Sequence, residues 1–194
     1  MNRRRFAVPS LIPVAVAVAV AVAGVWAAPA PTADPIDSTL FVAGGDAVRS
    51  FTKEIVIDAP VGRVYDAWTT SEGWSALYGA PSVSHIDLAI GGRYEWLFDG
   101  RIGSNGCQVL SYVPDRMVSF SWNAPPSQSS SRVRRTWVVV ETFEEGPATT
   151  RVRLTHLGFG DGAEWDETLR YFDEAWDRVL GRLETAFASE RAAD

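Results

Sequence analysis

The apolar residues of this chain change their spacing once, and that change limits the folds open to it. From Phe51 to Leu157 they fall mostly into runs of period two. From Leu169 they recur at three- and four-residue spacing, through Phe172, Trp176, Val179, Leu180, Leu183 and Phe187. Period two puts alternate side chains on one face of a strand, whereas the later spacing makes one long amphipathic helix. Only 31 residues follow Ala163 and they read as that helix, so no further strand is left to complete a βαβ unit.

The strand runs have clear faces. Ile55 and Ile57 alternate with Glu54 and Val56. Tyr94, Trp96 and Phe98 share a face after Gly91-Gly92, as do Val118, Phe120 and Trp122 after Pro114-Asp115-Arg116. Val133 to Phe143 and Thr149 to Leu157 make two more strands, joined by the turn-like Glu144-Glu145-Gly146-Pro147. In the last strand Val152, Leu154 and His156 point inward while Arg151, Arg153 and Thr155 face water. Asp58-Ala59-Pro60 opens a short helix, with Asp58 placed to cap and Val61, Val64, Tyr65 and Trp68 as its apolar face. Ser71 to Leu77 gives a second short helix, closed by Gly79 and Pro81. Asp161 with Glu164 reads as a capping box for the long helix, whose surface carries the acid-first pairs Asp166/Arg170 and Glu174/Arg178.

The first 50 residues are of another kind. Met1 to Arg5 is positive, and Phe6 to Ala33 is uncharged around the Val/Ala tract Val14 to Ala23. This is the plan of an export signal, residues 1–27, with a small-residue cleavage site at Val25-Trp26-Ala27 and a mature start near Ala28. An uncleaved inner-membrane anchor is the alternative, opposed by Pro9, Pro13 and the weakly apolar centre. Arg3-Arg4-Arg5-Phe6 resembles the twin-arginine export motif, with Asn2 where Ser or Thr is usual; a general secretory signal reads equally well. Residues 28–50 form a proline-rich tether and 189–194 a tail around a domain at 51–188. The expected compartment is the periplasm or the exterior.

Charge then excludes a class of partner. The chain has 18 basic and 24 acidic residues; without Arg3, Arg4 and Arg5 the balance is 15 to 24, a net −9, which offers little to offset nucleic-acid phosphates. Membrane contact is expected only through the leader, if it stays attached. The single cysteine, Cys107, rules out an intrachain disulfide, so the domain depends on its core.

No catalytic motif survives inspection. Gly158-Phe159-Gly160-Asp161-Gly162-Ala163 spells a dinucleotide fingerprint without the βαβ unit it needs. Gly73-Trp74-Ser75-Ala76-Leu77 lacks the closing glycine of a nucleophile elbow. His85 and His156 are far apart, so no metal and no cofactor are expected. Cys107 reads as a small buried hydrophobe. His156 reads either as a satisfied core histidine or as a polar anchor or general base on a cavity wall.

The aromatic residues are the sharper signal. Trp74, Tyr94, Trp96, Phe98, Phe120, Trp122, Trp137, Phe159, Phe172 and Trp176, with His156, could line a pocket for an apolar ligand or fill the interior. An empty apolar pocket of roughly 400 Å³ would cost on the order of 10 kcal/mol, as much as a domain's net stability. A large pocket therefore needs contents, or the rings must close it.

The order of elements and several short signatures resemble the SRPBCC (START-like) superfamily, in the branch of the heat-shock-protein ATPase activator homologues. The residues are Ile57-Asp58-Ala59-Pro60 with Val64 and Trp68; Ile90-Gly91-Gly92-Arg93-Tyr94; Gly106, Val109 and Pro114 through Trp122; and Leu154-Thr155-His156-Leu157-Gly158-Phe159 with Trp176, Leu180 and Leu183. The resemblance implies an α+β helix-grip fold: a curved antiparallel sheet wrapped around a long C-terminal helix, with two short helices after the first strand. It also implies a cavity between sheet and helix that in relatives holds apolar small molecules or lipids. The leader and tether depart from the activator proper, which is cytosolic and has an additional N-terminal domain. The expected function is non-catalytic binding of a hydrophobic small molecule or lipid. The alternatives are a cyclase- or hydratase-like enzyme using His156 or Tyr94, and a module that binds another envelope protein.

Overall fold

The computed structural model describes residues 48–78 and 82–192. The expected export signal, the tether up to residue 47 and the Gly79–Pro81 helix stop lie outside the described residues.

The chain runs β1 (Arg49–Ile57), α1 (Val61–Thr69), α2 (Ser71–Tyr78), β2 (Val83–Ile86), β3 (Tyr94–Leu97), β4 (Val109–Val113), β5 (Met117–Trp122), α3 (Ser129–Arg132), β6 (Thr136–Gly146), β7 (Thr149–Phe159) and α4 (Ala163–Arg191). Five strands form one curved antiparallel sheet in the order β1-β7-β6-β5-β4, and β2 pairs with β3 in a two-stranded sheet. The bridge between Arg93 and Gln108 joins the β3 side to β4. Helix α4 is 29 residues long, or about 43 Å at 1.5 Å per residue.

The expected faces meet here. Val118, Phe120 and Trp122 on β5, Val138 and Val140 on β6, and Val152, Leu154 and His156 on β7 are buried, as are Phe172, Trp176, Val179, Leu180, Leu183 and Phe187 on α4. On the opposite sheet face Glu54 accepts from Arg153 at 2.6 Å and from Arg151 at 3.1 Å, and Arg151 also reaches Glu145 at 2.6 Å. Lys53 crosses to α4, 2.9 Å from Asp173 and 2.8 Å from Asp177.

Several local expectations are corrected. Strand β1 starts at Arg49 rather than Phe51, because Arg49 pairs with Phe159 and its guanidinium holds the Gly160 carbonyl and Asp166, each at 2.6 Å. Asp58 does not cap α1, whose N-cap is Pro60 without a side-chain bond; Asp58 pairs instead with Arg191 at 2.5 Å, near the far end of α4. The Asp161/Glu164 capping box does not form. The N-cap is Gly162, at φ 101°, so the box partner would have to be Trp165, and the Glu164 carboxylate accepts from the Ser131 N–H at 2.7 Å. Asp166 is drawn to Arg49, leaving Arg170 to reach only the Asp166 carbonyl at 3.4 Å, whereas Glu174 and Arg178 lie 3.9 Å apart. Strand β6 starts three residues later than Val133, which is 82% exposed beyond the unexpected α3. At the other end, α4 continues through residues expected to be tail, to Arg191.

Candidate functional site

The interior between sheet and α4 is filled by rings. Trp68, Trp74, Trp122 and Trp176 come from α1, α2, β5 and α4, with centroids 5.7 Å apart for Trp68/Trp74, 5.9 Å for Trp74/Trp122 and 5.7 Å for Trp122/Trp176. Tyr94 stacks on Phe120 at 3.8 Å. Its hydroxyl donates to the Trp68 carbonyl at 2.6 Å and accepts from the Trp74 indole at 2.8 Å. That satisfied and fully buried phenol has its pKa pushed well above the usual value, first by desolvation.

His156 sits in a cage of Phe51, Phe159, Phe172 and Trp176, centroids 5.6, 4.6, 4.8 and 6.0 Å away. The Trp176 indole N–H donates to Nδ1 at 2.9 Å, which fixes Nε2 as the protonated nitrogen, and Nε2 lies 2.7 Å from Thr136 Oγ1. The Thr136 hydroxyl then donates to the Trp122 carbonyl at 3.2 Å. Every polar atom in this chain of bonds is used. Burial lowers the His156 pKa to about 3, so the ring is neutral at any pH near 7. It is a satisfied core histidine linking α4, β7, β6 and β5.

The cavity lies beside this filled interior, between β3, the Asn123–Pro126 segment after β5, Arg132 of α3 and the Tyr171–Val179 stretch of α4, and its volume is about 70 Å³. It opens to solvent, so the cost of an enclosed empty cavity does not arise. Of the expected lining residues, Trp96, Phe98, Trp122, Phe172 and Trp176 border it. Trp74, Tyr94, Phe120, His156 and Phe159 are buried in the packed core and do not border it. His156 and Tyr94, the residues an enzyme reading would use, are therefore not on this wall. Trp137 is corrected outright. Val138 and Val140 take the inward positions of β6, so Trp137 points outward, 45% exposed, and covers Gly158.

Residues not anticipated complete the cavity: Tyr78, Gly103, Ser104, Asn123, Ala124, Pro125, Pro126, Arg132, Tyr171, Ala175 and Val179. Tyr171 and Ala175 are spaced by four and lead into Val179 of the core stripe, so this extension of the apolar face of α4 was readable. Arg132 carried no such signal. Its guanidinium donates to the carbonyls of Ala124 and, at 2.9 Å, Gly103, with longer contacts to Asn123 at 3.5 Å and Asn105 at 3.4 Å. A buried polar cluster holds its helix. Ser131 Oγ and Thr168 Oγ1 are 2.9 Å apart, and Thr168 donates to Gln128 Oε1 at 2.8 Å.

Cys107 is fully buried, and desolvation pushes its thiol up to about 11, which removes the thiolate a nucleophile requires. Among the described residues no group of three or more His, Cys, Asp or Glu side chains could hold a metal ion, and no helix is long and apolar enough to cross a membrane.

A long C-terminal helix held by an antiparallel sheet, two short helices after the first strand and an apolar cavity at the sheet-helix junction define a helix-grip protein of the START-like class. More narrowly, the chain belongs to the family described as Activator of Hsp90 ATPase homolog 1-like protein, whose profile matches residues 58–188.

Solved structures share the fold at low identity. An Hsp90 activator from Plasmodium falciparum is 17% identical with a TM-score of 0.59, over 72% of this chain and 96% of that one. A protein from Mesorhizobium loti is 18% identical with a TM-score of 0.56, over 73% and 98%. One from Arthrobacter aurescens is 15% identical with a TM-score of 0.56, over 74% and 91%. No curated protein sequence matches the chain.

Proposed function

We propose that this chain is an exported START-like module that binds a hydrophobic small molecule in the cleft between β3 and α4 and catalyses no reaction on it. The observation that carries the reading is the lining itself: Trp96, Phe98, Trp122, Phe172 and Trp176 converge on one opening cavity, with a few polar groups, Ser104, Asn123 and Arg132, among them. The volume, about 70 Å³, suits a single ring or the end of an acyl chain better than a whole lipid. An engineered apolar cavity that accepts benzene measures about 150 Å³, so part of the ligand would stay in the mouth. The leader read in residues 1–27 supports a periplasmic or secreted location.

Native mass spectrometry of the exported protein, followed by titration with Nile red and a fluorescent fatty acid, tests the reading. The expected result is a chain starting near Ala28 with a copurified small mass or a saturable probe signal. A protein with no bound mass that binds neither probe would overturn the binding function, and a chain retained in the cytoplasm would overturn the export.

A further inference from the structure

The proposed cleft has one charged side chain in its lining among the described residues, the guanidinium of Arg132. Its hydrogen bonds all go to neutral oxygens: the carbonyls of Ala124 and Gly103, and the amides of Asn123 and Asn105. No ion pair within 4.0 Å involves it among the described residues, and the carboxylate of Glu164 on α4 accepts instead from the N–H of Ser131, next to Arg132, at 2.7 Å. A full positive charge thus stands at the rim of an apolar cavity without an anion. The fork is held in place from both sides, because Gly103 lies against the Trp96 carbonyl of β3 and α3 is tied to α4 through Ser131 and Thr168. Its amide contacts, at 3.4 and 3.5 Å, are long enough to yield to a carboxylate. Trp96 of the same lining keeps a buried indole N–H without an acceptor.

Resting on the proposed binding function, we infer that the ligand is an amphipathic monoanion: a compact ring or short branched chain seated among the rings, with a carboxylate on Arg132. A guanidinium matches a carboxylate with two parallel N–H donors, and in a partly dry site the pairing discriminates against a neutral amide of the same shape.

Calorimetric titration of the full chain with phenylacetate, phenylacetamide and Nile red separates this inference from the function it rests on. Phenylacetate should bind about ten-fold more tightly than phenylacetamide, and the ratio should shrink as salt is raised. Equal affinities, or the reverse order, overturn the anion preference while Nile red binding keeps the pocket. Failure of all three ligands overturns the pocket and the inference together. Arg132→Gln should bring the two phenyl ligands to parity, and a folded variant that keeps the ten-fold ratio refutes the role of Arg132. Because Arg132 also ties two loops, the ligand pair on the unaltered protein decides if that variant does not fold, and Arg132→Lys should keep part of the preference.

Discussion

His156 gives the fold a pH dependence that can be calculated. In the folded state its pKa is lowered to about 3 by burial, against 6.5 for an unperturbed histidine. Above pH 6.5 both states hold the ring neutral and no linkage energy is lost. Below it the unfolded chain takes up a proton that the folded chain refuses, so stability falls with falling pH until the folded ring protonates near pH 3. Integrating from neutral pH gives a loss of about 2 kcal/mol by pH 5, or up to about 1.4 kcal/mol per pH unit. The assay is urea unfolding followed by tryptophan fluorescence at intervals between pH 7.5 and 5. The control is His156→Gln, whose amide can accept from Trp176 and donate to Thr136 without titrating. The exposed, ion-paired carboxylates Glu54, Asp87 and Asp99, with pKa values already lowered, add their own losses only at more acid pH. The protein should lose about 2 kcal/mol over this window relative to the variant. Equal slopes for the two would refute the claim that a buried, neutral His156 sets the response.

Other expectations follow from the same contacts. Trp176→Phe removes the donor to His156 Nδ1 and should cost about 2 kcal/mol in urea unfolding, since a buried acceptor is left unpaired. Gly158→Ala should destabilise by at least about 2 kcal/mol in the same assay, because φ is +90° and a Cβ would stand 2.6 Å from the Trp137 ring; adding Trp137→Ala should recover part of that loss. Phe98→Ala, at a residue 50% exposed, should cost less than about 1 kcal/mol of stability yet weaken Nile red binding about five-fold or more. Cys107 should resist thiol reagents in the native protein and react readily in urea, read by absorbance of the released chromophore.

What could be read from the chain was whatever periodicity encodes. The strand faces of β5 and β7, the apolar face of α4 and the burial of His156 follow from spacing alone, because each reports on which side of an element meets the core. The capping of α1 and α4 could not be read that way. Asp58 found Arg191 at 2.5 Å and Glu164 found the Ser131 N–H at 2.7 Å, and such partners, distant in sequence, compete with a local cap only once the fold brings them near. Trp137 shows the limit for the site. It is as apolar as its neighbours, but parity against Val138 and Val140 puts it outside, and composition alone had placed it with the lining. Arg132 is the opposite case, in a four-residue helix with no apolar period, held by polar bonds from Ser131 and Gln128 to α4.

The filled interior also changes where binding can occur. The four indoles, the Tyr94–Phe120 stack and the His156 chain of hydrogen bonds occupy the space that a deep ligand would need. Opening the grip would break bonds that hold α4 to the sheet, and the cavity lies at its edge, lined by Trp96 of β3, the Asn123–Pro126 segment, Arg132 and α4. Stability and recognition are then largely carried by different residues. Trp68, Trp74, Tyr94 and His156 hold the fold, Trp96, Phe98 and Arg132 border the cavity, and Trp122, Phe172 and Trp176 belong to both. Substitutions in the two edge segments can reshape the cavity while the core stays intact.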